Sequence, residues 1–255
     1  MPEYRLEIMA AARITVWLLC AQAALAQGVM GARAGTVNFT VGAVTVDGQA
    51  VSVNPTTFPL LKDGQALETG DGLAELLLGP GVFLRLGLAS ALRMADTRLS
   101  DTQVVLLKGT ALVEVVNQTK GDRIQIQFGN TRTGFKNPGL YRFEVDKGRL
   151  RVFGGEAEVQ ADGLRVEAGR GKQVRLEPGL AISKFNPKQK DRLHRWAARR
   201  SFELFASSRE ARRRETHWEM TASGWSWNRD FGVRFFSKKV VNDYEATHPP
   251  QSQRF

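Results

Sequence analysis

Arg123-Ile-Gln-Ile-Gln-Phe-Gly-Asn-Thr-Arg-Thr-Gly-Phe-Lys-Asn-Pro-Gly-Leu-Tyr-Arg-Phe-Glu-Val145 is the stretch that decides the fold. Ile124, Ile126 and Phe128 alternate with Gln125 and Gln127, and Tyr141, Phe143 and Val145 alternate with Arg142 and Glu144. Alternation with a period of two places the apolar set on a buried sheet face and the polar set in water. Asn137-Pro138-Gly139 punctuates the stretch, as turns between strands require. The same grammar extends in both directions. Asp47-Gly48, Asp63-Gly64, Asp71-Gly72, Gly79-Pro80-Gly81, Lys108-Gly109 and Gly121-Asp122 precede or open it; Lys147-Gly148, Asp162-Gly163 and Gly169-Arg170-Gly171 follow.

Between these turns the pattern predicts strands near Thr36–Val46, Gln49–Val53, Leu73–Leu78, Val82–Leu86, Thr102–Leu107, Ala111–Val116, Arg123–Phe128, Leu140–Val145, Leu150–Phe153, Ala157–Gln160, Leu164–Glu167 and Gln173–Leu176. Short strands at such spacing define an all-β body. The expected architecture is many short antiparallel strands in a roll, a sandwich or a β-solenoid-like stack. Gly109-Thr-Ala-Leu-Val-Glu-Val, Gly148-Arg-Leu-Arg-Val and Gly163-Leu-Arg-Val-Glu share a loose form that hints at stacked units.

Several of these pieces together resemble the FecR domain family over about residues 35–178. Leu61-Lys-Asp-Gly-Gln-Ala-Leu-Glu-Thr-Gly-Asp-Gly-Leu-Ala-Glu-Leu-Leu-Leu is similar to that family's hairpin and following strand. Leu107-Lys-Gly-Thr-Ala-Leu-Val-Glu-Val, Gly139-Leu-Tyr-Arg-Phe-Glu-Val, Lys147-Gly-Arg-Leu-Arg-Val-Phe-Gly-Gly and Gly169-Arg-Gly-Lys-Gln-Val match further elements. The matching positions are structural glycines and apolar strand residues, which speak for a fold before a function. The resemblance implies a periplasmic domain which, in regulatory members, belongs to an inner-membrane anti-sigma regulator. This chain has no cytoplasmic domain before its hydrophobic segment, so a stand-alone exported domain is the expectation.

That segment sets the compartment. Arg5 and Arg13 precede an apolar run from Ile14 to Ala26, and Ala24-Leu25-Ala26 offers small residues before Gln27. The pattern predicts a cleaved signal peptide over 1–26 and a periplasmic or secreted product; the run is shorter than the ~20 residues of a membrane span. Cys20 is the only cysteine and follows Leu19, where a lipoprotein signal needs a small residue. Its removal leaves a chain without thiols, which excludes disulfides, zinc–thiolate sites and cysteine nucleophiles.

Charge is uneven. Residues 27–183, the expected β domain, carry 18 Lys/Arg against 16 Asp/Glu, whereas 184–255 carry 16 against 8. In a basic region over 184–219, Asn186-Pro187-Lys188-Gln189 reads as a helix start with Asn186 as cap. Leu193, Trp196, Ala197, Ser201, Leu204 and Phe205 fall on one helical face, with Arg192, Arg195, Arg199 and Arg200 mostly on the other. Arg212, Arg213 and Arg214 form a basic run that reads first as a solvated helix face and second as a contact for an anionic envelope surface; an exported protein rarely meets nucleic acid. The segment 220–255 holds Trp225, Trp227, Phe231, Arg234 and Phe235, rings and guanidiniums that either pack on the body or face a sugar. After Val240 little remains to bury, and disorder is expected.

Catalytic and metal patterns do not emerge. His194, His217 and His248 lack metal-site spacing, and an exposed histidine is the expectation for each. No carboxylate pair is singled out, and no cofactor is implied. The sequence therefore points to a non-enzymatic exported binding or assembly module. The expected partners are an envelope glycan, an anionic envelope surface or a protein. A sensor relaying a signal to a membrane regulator is the alternative, and a glycan-acting enzyme the third reading.

Overall fold

The chain winds back and forth between two sheets in the computed structural model, which describes residues 34–53, 58–117, 121–176 and 179–215, with side chains to residue 204. Strand β1 (Thr36–Val41) lies in an eight-stranded sheet; β2 (Val44–Val46), β3 (Gln49–Ala50) and β4 (Ala66–Thr69) lie in a nine-stranded one. The path returns with β5 (Leu73–Gly79) and β6 (Val82–Leu86), crosses for β7 (Ala91–Asp96) and β8 (Asp101–Lys108), and returns again for β9 (Thr110–Val115). Then β10 (Arg123–Phe128) and β11 (Thr131–Phe135) join the larger sheet, and β12 (Gly139–Glu144) and β13 (Arg149–Gly154) the smaller. Finally β14 (Glu156–Ala161) and β15 (Leu164–Gly169) extend the larger sheet, and β16 (Lys172–Arg175) and β17 (Ile182–Lys184) the smaller, before helix α1 (Arg192–Glu215).

The spatial order is β1-β5-β6-β9-β12-β13-β16-β17 in one sheet and β15-β14-β11-β10-β8-β7-β4-β2-β3 in the other. The all-β expectation holds, as does the helix after it. One expectation needs correction: β8 and β10 pair in parallel, Val104 beside Ile126. The intervening β9 crosses to the other sheet, and such a crossover is what parallel pairing demands.

The inward sets of the two sheets form one core. Ala74, Leu76, Val82, Leu84, Leu86, Val113, Tyr141, Phe143, Leu150 and Val152 from the smaller sheet meet Leu67, Leu92, Met94, Val104, Ile124, Ile126 and Val159 from the larger. Each fully buried large aliphatic contributes about 1.5–3 kcal/mol relative to exposure. Thr69 is buried among them, and its hydroxyl donates to the Gly87 carbonyl at 2.6 Å, offsetting its desolvation.

Thr36–Val46, expected as one strand, is two. Gly42 has φ of 69° and lies so close to Gly72 that a Cβ would come within 2.9 Å of its Cα. There the chain leaves one sheet for the other. A second close approach surrounds Tyr141, whose hydroxyl donates to the Asn137 carbonyl at 2.6 Å and accepts from the Glu156 amide at 3.1 Å. A Cβ on Gly155, whose φ is 80°, would stand 2.2 Å from that hydroxyl.

Helix α1 lies on the outer face of the smaller sheet. Leu193 and Ala197 pack on Leu112, Leu140 and Phe153, with Trp196 and Phe185 at the margin. Its cap is Asp191 rather than Asn186: the His194 amide donates to Asp191 Oδ1 at 3.1 Å. Asn186 instead closes a turn, accepting from the Lys188 amide at 3.0 Å.

Candidate functional site

The strand register makes two cross-sheet surfaces of opposite fate. On the smaller sheet, neighbouring strands align Phe39, Glu75, Arg85, Leu112, Arg142, Arg151 and Gln173 in a row on the outer face. Helix α1 covers its centre. Beneath it Arg85 Nε donates to Glu75 Oε2 at 2.6 Å and Arg85 Nη1 to Glu114 Oε2 at 2.5 Å. From the helix, Arg200 Nη2 reaches Glu75 Oε1 at 3.0 Å while its guanidinium lies 3.9 Å from the Phe39 ring centre, and the Ser201 hydroxyl donates to Glu114. Burial alone would raise the Glu75 carboxyl, but the guanidiniums of Arg85 and Arg200 hold it below its ordinary value.

A second ionic group closes the other end of the helix. Arg142 Nη2 meets Asp191 Oδ2 at 2.7 Å, and Glu144 takes Arg142, Arg149 and Arg151. His194 is buried against Phe153, its Nδ1 2.8 Å from Asp191 Oδ1, and burial pushes its imidazole below its ordinary value. Three expectations are thereby corrected. Arg142 and Glu144 do not face water, because Asp191 and His194 cover the first and three arginines surround the second; His194 is only 2% exposed; and Arg200 turns inward to Glu75.

The larger sheet presents its outer face to solvent. Register aligns Ala66, Arg93, Val105, Gln127, Arg132, Gln160 and Arg165 across β4, β7, β8, β10, β11, β14 and β15. A parallel row carries Gln103, Gln125, Gly134, Glu158 and Glu167. Its carboxylates are spoken for: Glu158 pairs with Arg165 at 3.3 Å and Glu167 with Lys136. Arg93, Arg123 and Arg132 are exposed, and their guanidiniums make no hydrogen bond or ion pair among the described residues. At the far end, Asn130, Arg132, Gln160, Asp162, Leu164 and Arg165 line an open cleft of about 220 Å³.

Among the described residues no three of His, Cys, Asp and Glu come together as metal ligands would. The basic run Arg212, Arg213 and Arg214 falls on the last turns of α1, and its side chains lie outside the described ones. Trp225, Trp227, Phe231, Arg234 and Phe235 lie outside the described residues, as does the expected signal segment 1–26. The open row was not singled out by sequence reasoning. Its signal is present in the polar phase of alternating strands, in Gln125 and Gln127, but contiguity depends on register between distant segments.

No family model matches this chain, and no curated protein matches it. Two crystal structures, each described as a candidate anti-sigma factor from Parabacteroides distasonis, are similar in part. One has a TM-score of 0.39 and 14% identity, covering 52% of this chain and 62% of that one. The other has a TM-score of 0.39 and 13% identity, covering 52% and 63%. The chain thus spans less than two thirds of either protein, and so partial a likeness carries no argument about activity.

Proposed function

We propose that this chain is a non-enzymatic, exported FecR-like binding module that engages the cell envelope through the open face of its larger sheet. The observation that carries the reading is the row from Arg93 to Arg165. It combines the unpaired guanidiniums of Arg93 and Arg132 with glutamine amides and with Arg165, which is held by Glu158, while the corresponding face of the smaller sheet is closed by α1. A surface of this kind binds by summing several modest contacts along an extended partner. Residues 1–26 support the exported compartment through their basic start, apolar run and Ala-Leu-Ala motif.

The test is retention on isolated envelope material. Arg93→Glu with Arg132→Glu reverses two exposed charges, so the variant should keep the parent's melting temperature and lose most of its co-sedimentation. Undiminished retention would remove the face from the function and favour the sensor reading, in which a membrane regulator is the partner.

A further inference from the structure

We infer that the ligand of this face is a linear polysaccharide carrying carboxylates, a polyuronate, which lies across the strands and ends in the cleft beside Arg132 and Arg165. The inference rests on the binding reading above and names its ligand class. Strands are spaced ~4.8 Å apart, so Arg93 and Arg132 stand roughly 14 Å apart along the row and Arg132 and Arg165 roughly 10 Å apart. Between them sit Val105, Gln127 and Gln160. The order is cation, apolar, amide, cation, amide, cation.

Each member matches a part of an acidic sugar chain. A guanidinium holds a carboxylate through two parallel N–H bonds. The glutamines offer donors and acceptors to hydroxyls, and Val105 offers an apolar contact to a ring face. Charge complementarity points the same way. Glu158 and Glu167 are neutralised within the protein, which leaves Arg93 and Arg132 as the free guanidiniums of the row, while Arg123 stands beside Asp101 in the register. Asp162, which lines the cleft, and Asp101 and Glu156, on the same face, are carboxylates against the fit, and none of them stands in the row. The cleft, at about 220 Å³, is smaller than the ~300 Å³ and upward of sites that enclose a drug-sized molecule, and suits a single terminal sugar. A phospholipid surface would engage charge without regard to the intervening amides, and among the described residues the row holds no aromatic ring to insert between lipids.

The experiment titrates the full chain with oligogalacturonate, with neutral dextran and with phosphatidylglycerol vesicles. Oligogalacturonate should bind, bind more weakly as salt rises, and lose at least ten-fold in affinity in Arg93→Gln/Arg132→Gln at an unchanged melting temperature. Dextran should not bind. Replacing Arg212, Arg213 and Arg214 by Gln should leave oligogalacturonate binding intact. Equal binding of dextran, or affinity carried by the 212–214 run instead of the row, would overturn the inference. Binding to vesicles in preference to oligogalacturonate would do so as well. Failure is distinguishable from failure of the binding reading. If envelope retention depends on Arg93 and Arg132 but oligogalacturonate neither binds nor competes, the face stands and the ligand class falls; if retention ignores both residues, the two fall together.

Discussion

Arg85 is the residue on which the covered face turns. It is wholly buried, and its guanidinium is shared between Glu75 and Glu114. Two ions taken out of water are expensive to hold unless each stays paired, so removing one member costs more than removing the set. Arg85→Met should therefore destabilise the protein by about 3–5 kcal/mol, because it leaves Glu114 buried with only Ser201 and Glu75 with only Arg200 and Asn38. Replacing Arg85 by Met and both glutamates by Leu together should cost less, because no buried carboxylate is then left unpaired and Arg200 keeps Glu203. Chemical denaturation of the two variants decides it; a triple variant as unstable as the single one would mean that the ions themselves hold the helix in place.

At the level of elements, the same chemistry makes docking of α1 sensitive to acid. His194 is buried with its pKa below the ordinary 6.5, so the unfolded chain takes up its proton first and stability falls as pH drops below about 6.5. Glu75 and Glu144 lie below 4.5 and Asp191 below 3.8; for each, burial opposes ionisation and the surrounding hydrogen bonds and guanidiniums overcome it. Their contribution is complete above those ordinary values and is lost as pH falls through the depressed ones. A melting-temperature profile should thus decline in two stages, and His194→Leu should abolish the first, which sets in below about pH 6.5, while keeping the second. A profile unchanged by that substitution would show that His194 titrates without constraint. Legibility in the sequence followed the same elements. Strands with strong alternation, such as β5, β6, β9, β10 and β12, stand where their apolar phase places them. By contrast β4, β7, β11 and β17 were passed over: β11 carries Gly134 between the inward-facing Thr133 and Phe135, and β4 turns Thr69 inward. Threonine and alanine at core positions blur the contrast on which the period is read.

For the whole molecule, the polar phase of a strand carries no mark of whether water or a helix will cover it. Gln125 and Glu75 occupy equivalent positions in their strands, yet one faces solvent and the other lies under α1. The composition break near residue 184 likewise suggests a β body complete in itself, whereas α1 contributes Leu193 and Ala197 to an apolar cluster on the smaller sheet. A chain stopped after Phe185 measures what that contribution is worth. It would expose Leu112, Leu140 and much of Phe153, deprive Glu75 of Arg200, and leave Arg142 without Asp191. Loss of the three apolar contacts alone amounts to at least about 5 kcal/mol, which lowers the melting midpoint of a domain this size by roughly 10–20 °C. The newly bared face should also drive self-association, because it joins an apolar centre to a ladder of uncovered charges. Calorimetry together with sedimentation of the shortened chain tests both effects, and a monomer that melts where the full chain does would show that the strands alone carry the stability and that α1 is an ornament on the sheet.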